Sequence, residues 1–235
     1  MLVRPLRLPS FVAPPAALPP ERRRALVALM DRRLRERLGA KIGRFAAIWL
    51  TAAYSLALLV THRAGRPELL DAIVVAGLGA LSWLAAGPVA LAAAGDLQSA
   101  DRRDGVVALA AQRGYSPDIL RLARFGAAMR RLRSVTLFPA LVISAVALGL
   151  STSIRVLGGR LLLCAGAAAY VLVLSVVLGV LARALATLSQ GHARAWLVAI
   201  VLVPHALHLV WPEVASLPSA FVWLLDRLPR PGGWE

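Results

Sequence analysis

Apolar residues gather into long blocks along the chain, and polar residues gather between the blocks. Because a helix needs roughly 20 apolar residues to cross a bilayer, each long block predicts a membrane-spanning helix. These blocks are 43–61, 69–95, 134–152, 161–182 and 195–211. A sixth block, 214–228, is shorter and contains Pro218 and Asp226, so we interpret it as re-entrant or interfacial. The pattern predicts an all-α, polytopic bundle with five to six transmembrane helices.

The segment 21–41 has apolar residues at four-residue intervals and arginines around much of the remaining helix circumference. We expect an amphipathic interfacial helix, with its apolar stripe in the lipid and its cationic side chains on anionic headgroups. The residues assigned to this membrane surface are Arg22, Arg23, Arg24, Leu26, Met30, Leu34 and Leu38. A solvated basic helix without lipid contact is the alternative. Residues 1–20 are rich in proline and predict a flexible or extended tail rather than a signal peptide.

Residues 96–133 form the long hydrophilic segment between the second and third apolar blocks. The segment carries eight arginines and divides into two amphipathic units. The first unit follows Gly105 and ends at Gly114, which is placed as a C-terminal cap. The second begins at Ser116, a good N-cap, followed by Pro117 at the first helical position. We expect the chain to turn at the membrane face here and a soluble partner to dock.

Composition and charge agree with a membrane protein. Hydrophobic residues make up 59% of the chain, and the mean hydropathy is +0.70. The net charge of +15 follows topology rather than a nucleic-acid surface. Residues 1–44 hold eleven Lys and Arg residues and 96–133 hold eight, whereas the loops 62–67 and 151–160 hold two each. By the positive-inside rule the N-terminus and the 96–133 segment are cytoplasmic, in an inner (plasma) membrane.

The chain lacks the residues of a nucleotide-hydrolysing site. Its one lysine, Lys41, is followed by Ile42, whereas a Walker phosphate loop requires Gly-Lys-Ser/Thr. His205 and His208 lie three residues apart near Glu213, a weak metal or haem set that is more simply a hydrated pair at the interface. No nucleophile, base and orienting acid come together, so we expect neither enzyme activity nor a cofactor in this chain.

Two runs of sequence carry a resemblance to a known family. Residues 101–109, DRRDGVVAL, and 113–116, RGYS, resemble the cytoplasmic segment after the second span in permease subunits of type-2 ABC exporters, which include polysaccharide, drug and haem-type exporters. Residues 184–204, with Ser189, Gln190 and Ala193, are similar to the loop between spans four and five of that family. The chain departs from the family pattern at Val106, usually a threonine, at Arg124, usually a lysine, and in lacking a clear sixth span.

The resemblance implies a division of labour between subunits. A permease homodimer or heterodimer would carry the substrate, while ATP and Mg²⁺ would bind a separate soluble ATPase. Residues matching the docking segment are Asp101, Asp104, Gly105, Val106, Leu109, Arg113 and Gly114. The transmembrane domain would then cover 42–235, after the tail 1–20 and the helix 21–41. A non-transporting membrane scaffold that recruits a soluble partner stays open as an alternative.

Overall fold

The computed structural model describes residues 19–188, 192–211 and 213. Throughout these residues the secondary structure is helical, so the all-α prediction is confirmed. The helices are α1 (Pro20–Arg35), α2 (Leu38–Arg63), α3 (Leu70–Ala80), α4 (Ala86–Leu91), α5 (Leu97–Arg103), α6 (Val106–Gln112), α7 (Pro117–Gly149), α8 (Ile154–Leu188) and α9 (Ala193–Val210). A short 3₁₀ turn, Pro67–Leu69, precedes α3.

Helices α3, α4 and α5 follow one another as one helical run, joined by two wider, π-type turns at Leu81–Ala85 and Ala92–Asp96. Pro88 lies in α4 between these turns. A proline inside a helix lacks an amide donor and crowds the preceding turn, and wider turns are a common way to accommodate such a disturbance. The predicted second span is therefore one helix with two local irregularities.

Four helical runs in the described part are long and apolar enough to cross a membrane: Leu38–Arg63, Pro67–Arg103, Pro117–Gly149 and Ile154–Leu188. They contain the first four apolar blocks found in the sequence, except for residues 150–152 at the end of the third block. The fifth block, 195–211, falls largely on α9, and the sixth, 214–228, lies outside the described residues. The tail 1–20 also lies outside them, except for Pro19 and Pro20.

Helix α7 occupies the centre of the bundle and packs against α8, α2 and α1. Its buried face includes Leu132 and Ile143, which belong to the same apolar core as Leu174 and Leu178 of α8. At Gly179 the two helices come close, since an added Cβ atom would lie 2.5 Å from the Met129 sulfur. A small residue at such a crossing lets two membrane helices approach.

Helix α2 crosses the second helical run through a pair of glycines four residues apart, Gly39 and Gly43. A Cβ atom added at Gly43 would lie 2.5 Å from the carbonyl oxygen of Ala85 and 2.6 Å from Cγ2 of Val89. Residues four apart share one face of a helix, so the two glycines form one contact surface. The close backbone contact fixes α2 against α4.

Helix boundaries differ from the sequence expectation at two places. The predicted helix 21–41 ends at Arg35, and α2 begins at Leu38, before the apolar block itself. The second amphipathic unit of the 96–133 segment is continuous with the third span, because α7 runs unbroken from Pro117 to Gly149. Once begun, a helix gains one hydrogen bond per added residue, and the amphipathic part contains no stop signal strong enough to end it. The turn between membrane helices is thus limited to 104–116.

Candidate functional site

Helix α6 is a two-turn helix bounded by glycines at the arginine-rich end of the bundle. Gly105 and Gly114 have φ angles of +70° and +76°, a left-handed conformation that glycine adopts without a steric penalty. The Ser116 hydroxyl accepts a hydrogen bond from the Ile119 amide at 3.4 Å, so both the glycine cap and the serine cap predicted here are confirmed. These turns hold α6 between α5 and α7 as a separate, exposed element.

A cavity of about 410 Å³ lies between α1 and α6, and we call it the α1–α6 groove. Its apolar lining includes Leu26, Leu29 and Met30 of α1 and Leu109 of α6. Two exposed arginines, Arg22 and Arg113, also line the groove. The lining combines apolar side chains with cationic ones. The groove therefore suits a partner that inserts an apolar side chain flanked by acidic groups.

The residues around Asp101 form an ionic cluster beneath this groove, which we call the Asp101 cluster. Asp101 is fully buried and accepts hydrogen bonds from Nε of Arg33 at 2.9 Å and Nε of Arg124 at 2.8 Å. Asp104 accepts a hydrogen bond from Arg33 and lies 3.9 Å from Arg37. A buried carboxylate is tolerated when it is paired and hydrogen-bonded in this way. The cluster joins α5 to α1 and α7.

A second cluster, the Asp31 cluster, lies between α1 and α7. Asp31 is 2% exposed and accepts hydrogen bonds from Arg131, at 3.0 Å from Nη2 and 3.2 Å from Nε. Arg35, one turn further along α1, donates to the other carboxylate oxygen at 2.8 Å. Two guanidinium groups share one carboxylate, so the cluster carries a net positive charge and fixes α1 on α7.

The predicted docking residues do not all reach the surface. Asp101 has no exposed area, because its two carboxylate oxygens bind arginines of α1 and α7, so its contact with a partner stays a prediction. Asp104 is half-exposed but is also bound to Arg33. The remaining predicted residues, Gly105, Val106, Leu109, Arg113 and Gly114, lie on or beside α6, and Leu109 is 56% exposed.

Two residues of the predicted membrane-surface helix are buried in the protein. Met30 and Leu34 have no exposed area. Met30 packs in a cluster with Ala110 and Ala123, and Leu34 in another with residues of α5 and α7. The apolar stripe of α1 is thus used for packing on protein. The other predicted residues are exposed or partly buried: Arg22, Arg23, Arg24, Leu26 and Leu38.

The opposite end of the bundle is held by an ion pair between α3 and α8. Nε of Arg160 donates to Asp71 at 3.0 Å, and the same guanidinium donates to the carbonyl oxygens of Leu150 at 3.1 Å and Ala147 at 3.4 Å. Arg160 is 3% exposed. Here one arginine pairs with one carboxylate and joins α3, α7 and α8, whereas Asp31 and Asp101 each bind two arginines.

Sequence reasoning missed the roles of Asp31, Asp71 and Arg160. For Asp31 a signal exists, because it is the single acidic residue among 22–35 and lies beside the apolar stripe, next to Met30. Asp71 and Arg160 are 89 residues apart, and no local pattern joins them. The side chains of His205 and His208 lie outside the described residues, so the expectation that they are hydrated stays a prediction.

Comparisons of this chain with protein-family models, with curated proteins and with solved structures find no match. The residues themselves therefore carry the functional argument. What they establish is a helical protein with four runs able to cross a membrane and an exposed two-turn helix fixed at its arginine-rich end.

Proposed function

We propose that the chain is the membrane permease subunit of an ATP-binding-cassette transporter, driven by a separate ATPase subunit. The observation that carries the proposal is α6, an exposed two-turn helix between two glycines and beside the α1–α6 groove. A soluble ATPase binds the groove and the exposed face of α6, including Leu109 and Arg113. The acidic groups of that ATPase face the arginines.

The proposed topology has five membrane spans, with α9 as the fifth. Its 18 residues extend over about 27 Å, close to the roughly 30 Å hydrocarbon thickness of a bilayer. The N-terminus and α6 then face the cytoplasm, in agreement with the arginine content of residues 1–44 and 96–133. The localisation that follows is the inner (plasma) membrane, with multiple passes.

The two ionic clusters give the docking surface a mechanical connection to the spans. The Asp101 cluster joins α5 to α1 and α7, and the Asp31 cluster joins α1 to α7. Because these contacts are buried and hydrogen-bonded, α1 and the start of α7 move together. An ATPase that binds one arrangement of α6 more tightly than another shifts the bundle between conformations, as unequal affinity for two states requires.

A second copy or a related permease is proposed to pack on α2. Only 11% of the most apolar window of α2 is buried, against 39–44% for the other three candidate spans. Its exposed face carries Phe45, Trp49 and Leu56. Such an uncovered surface of large apolar side chains fits a homodimer or heterodimer in the membrane.

The experiment that tests the proposal changes one exposed leucine of the groove. We expect a protein that hydrolyses Mg-ATP to co-purify with the wild-type chain from native membranes in mild detergent. The Leu109→Asp variant is expected to lose that activity at least tenfold, since a carboxylate replaces an apolar contact in the groove. Leu69→Asp, at the exposed start of the second helical run, is the matched control and should retain it.

A non-transporting scaffold gives a different result in the same preparation. The scaffold binds its partner without changing the partner's catalytic rate, whereas a coupled permease alters ATP turnover after reconstitution in vesicles. Unchanged turnover on reconstitution would favour the scaffold. Co-purified protein without any ATP hydrolysis would overturn the permease assignment.

A further inference from the structure

A groove of about 600 Å³ runs between α2 and α7. Its volume lies within the range of small-molecule sites, about 300–1,000 Å³. Ile48 and Phe138 line it and are 59% and 69% exposed, so it opens toward the membrane rather than into the protein core. We call it the α2–α7 groove.

Cationic groups gather at one end of the α2–α7 groove. Arg44 of α2 lines it, is exposed, and makes no ion pair with any described residue. Arg131 of α7 lines it as well and uses Nε and Nη2 to bind Asp31. Its Nη1 atom has no hydrogen-bond partner in the described part of the chain. The Asp31 cluster is already net positive through Arg35, so Arg44 adds an uncompensated charge.

The length of the groove matches one leaflet of a bilayer. Arg44 and Arg63 are 19 residues apart on α2, about 28 Å along the helix, which places them near the two surfaces of a roughly 30 Å hydrocarbon layer. From Arg44 to Ser55, the far lining residue on α2, is about 16 Å. The groove therefore extends from a headgroup region to the middle of the membrane, with cations at the headgroup level and a mostly apolar lining beyond, which also includes Thr51 and Ser55.

We propose that the α2–α7 groove binds one anionic phospholipid, with its phosphate on Arg44 and Arg131 and one acyl chain along Ile48, Ala52 and Phe138. Basic pockets between membrane helices commonly accept anionic headgroups. The bound lipid balances the excess charge beside the Asp31 cluster and fills the space between α2 and α7. The site requires no ATPase partner, so its test is independent of the proposed function.

The test uses full-length protein in detergent and measures lipid binding by native mass spectrometry. The probes are dioleoylphosphatidylglycerol, dioleoylphosphatidylethanolamine with the same acyl chains, and glycerol 3-phosphate without any chain. Phosphatidylglycerol is expected to bind at least fivefold more tightly than phosphatidylethanolamine. Glycerol 3-phosphate at the same concentration should not displace it; displacement would show a free-phosphate site and overturn the lipid assignment.

Two pairs of variants separate the headgroup contact from the chain contact. Arg44→Gln is expected to weaken phosphatidylglycerol binding about fivefold, the effect of one basic side chain near an anionic lipid surface, whereas Arg63→Gln at the other end of α2 leaves binding unchanged. Arg44→Lys should restore most of the binding. Ala52→Trp fills the groove and should abolish binding, while Ala53→Trp, exposed and outside the groove, should not.

Each alternative outcome is decisive. Binding that survives both Arg44→Gln and Ala52→Trp would place the lipid elsewhere and overturn the proposal. A change from dimer to monomer in Ala52→Trp, without any change in lipid binding, would show that a second copy covers the groove instead. Arg44→Lys and Ala53→Trp leave the proposed site intact. Lipid binding by these two variants shows that a substitution at either position is compatible with a folded protein.

Discussion

Both ends of the bundle are held by pairs of aspartate and arginine, but the number of arginines per aspartate differs. At the arginine-rich end Asp31 binds two arginines, and Asp101 binds two as well. At the opposite end Asp71 binds one arginine, Arg160, whose remaining contacts are to carbonyl oxygens and a hydroxyl. The first end retains positive charge after all these pairs are formed. The Asp71–Arg160 pair at the second end is balanced, one carboxylate to one guanidinium.

This difference indicates two roles for the arginines. Some only hold helices together, and others can also interact with another molecule. A balanced, buried pair joins helices and leaves no charge for another molecule to bind. An excess of arginine joins helices through the carboxylates and still presents cationic groups, such as Arg22, Arg113 and Arg44, to a partner or a lipid. The proposed docking surface and the proposed lipid site therefore both lie near the arginine-rich end.

Removing Asp31 should produce the largest loss of stability, because it leaves the buried Arg131 unpaired. We expect Asp31→Ala to lower the free energy of unfolding by about 3–5 kcal/mol, measured by thermal denaturation in detergent. The double variant Asp31→Leu with Arg131→Met should recover most of this loss, since no buried charge then lacks a partner. Equal melting temperatures for wild type and Asp31→Ala would show that the cluster is not buried in the membrane-embedded protein.

Removing the pair at the balanced end should cost less. Asp71 is one-third exposed, so water can replace part of what Arg160 loses, and we expect Asp71→Asn to cost about 1–3 kcal/mol. The same thermal measurement applies. Binding of the proposed ATPase subunit should be unaffected, because α6 is at the other end. A loss larger than that of Asp31→Ala would reverse our ranking of the two ends.

Substitutions at Gly43 and Gly149 test whether close backbone packing also differs between the two ends of the bundle. Gly43→Val forces a side chain against the carbonyl of Ala85, and we expect a loss of about 1–3 kcal/mol with separation of α2 from α4. Gly149→Ala meets no atom within 4 Å and should be neutral or slightly stabilising. Distances between spin labels on α2 and α4 would report the separation. Unchanged distances in Gly43→Val would show that the contact is absent.

The smallest effect should come from an exposed ion pair at the arginine-rich end. Arg121 and Asp118 are 3.0 Å apart, the same distance as Arg131 and Asp31, but both side chains are more than half exposed. We expect Asp118→Asn to cost less than about 1 kcal/mol and the difference to shrink further in high salt. A cost comparable to that of Asp31→Ala would mean that pair distance, not burial, determines stability.

Much of the fold was predictable from local patterns. Apolar blocks located the first four spans, and the glycine and Ser116 signals correctly placed α6 and the start of α7. Each of these features depends on residues within a few positions of one another. The helix continuing from Pro117 through the third span was missed because amphipathic and fully apolar patterns look like separate elements in sequence, although the backbone joins them without a break.

The site was less predictable because its main contacts are long-range. Arg33 and Asp101 are 68 residues apart, and Asp31 and Arg131 are 100 apart. Composition shows the excess of arginine but not which guanidinium binds a buried carboxylate. For the same reason the stripe containing Met30 was read as lipid-facing, since an apolar face that packs on protein has the same spacing as one that enters a membrane.

Photocrosslinking from α6 in living cells tests the central claim most directly. A photoreactive amino acid replaces Leu109 in the full-length chain, with replacement of Leu69 at the opposite end as the control, and crosslinked proteins are identified by mass spectrometry. We expect position 109 to capture a soluble nucleotide hydrolase and position 69 to capture none. Two results would contradict the assignment of the arginine-rich end as the docking surface. One is that position 109 captures no nucleotide hydrolase, and the other is that only position 69 captures it.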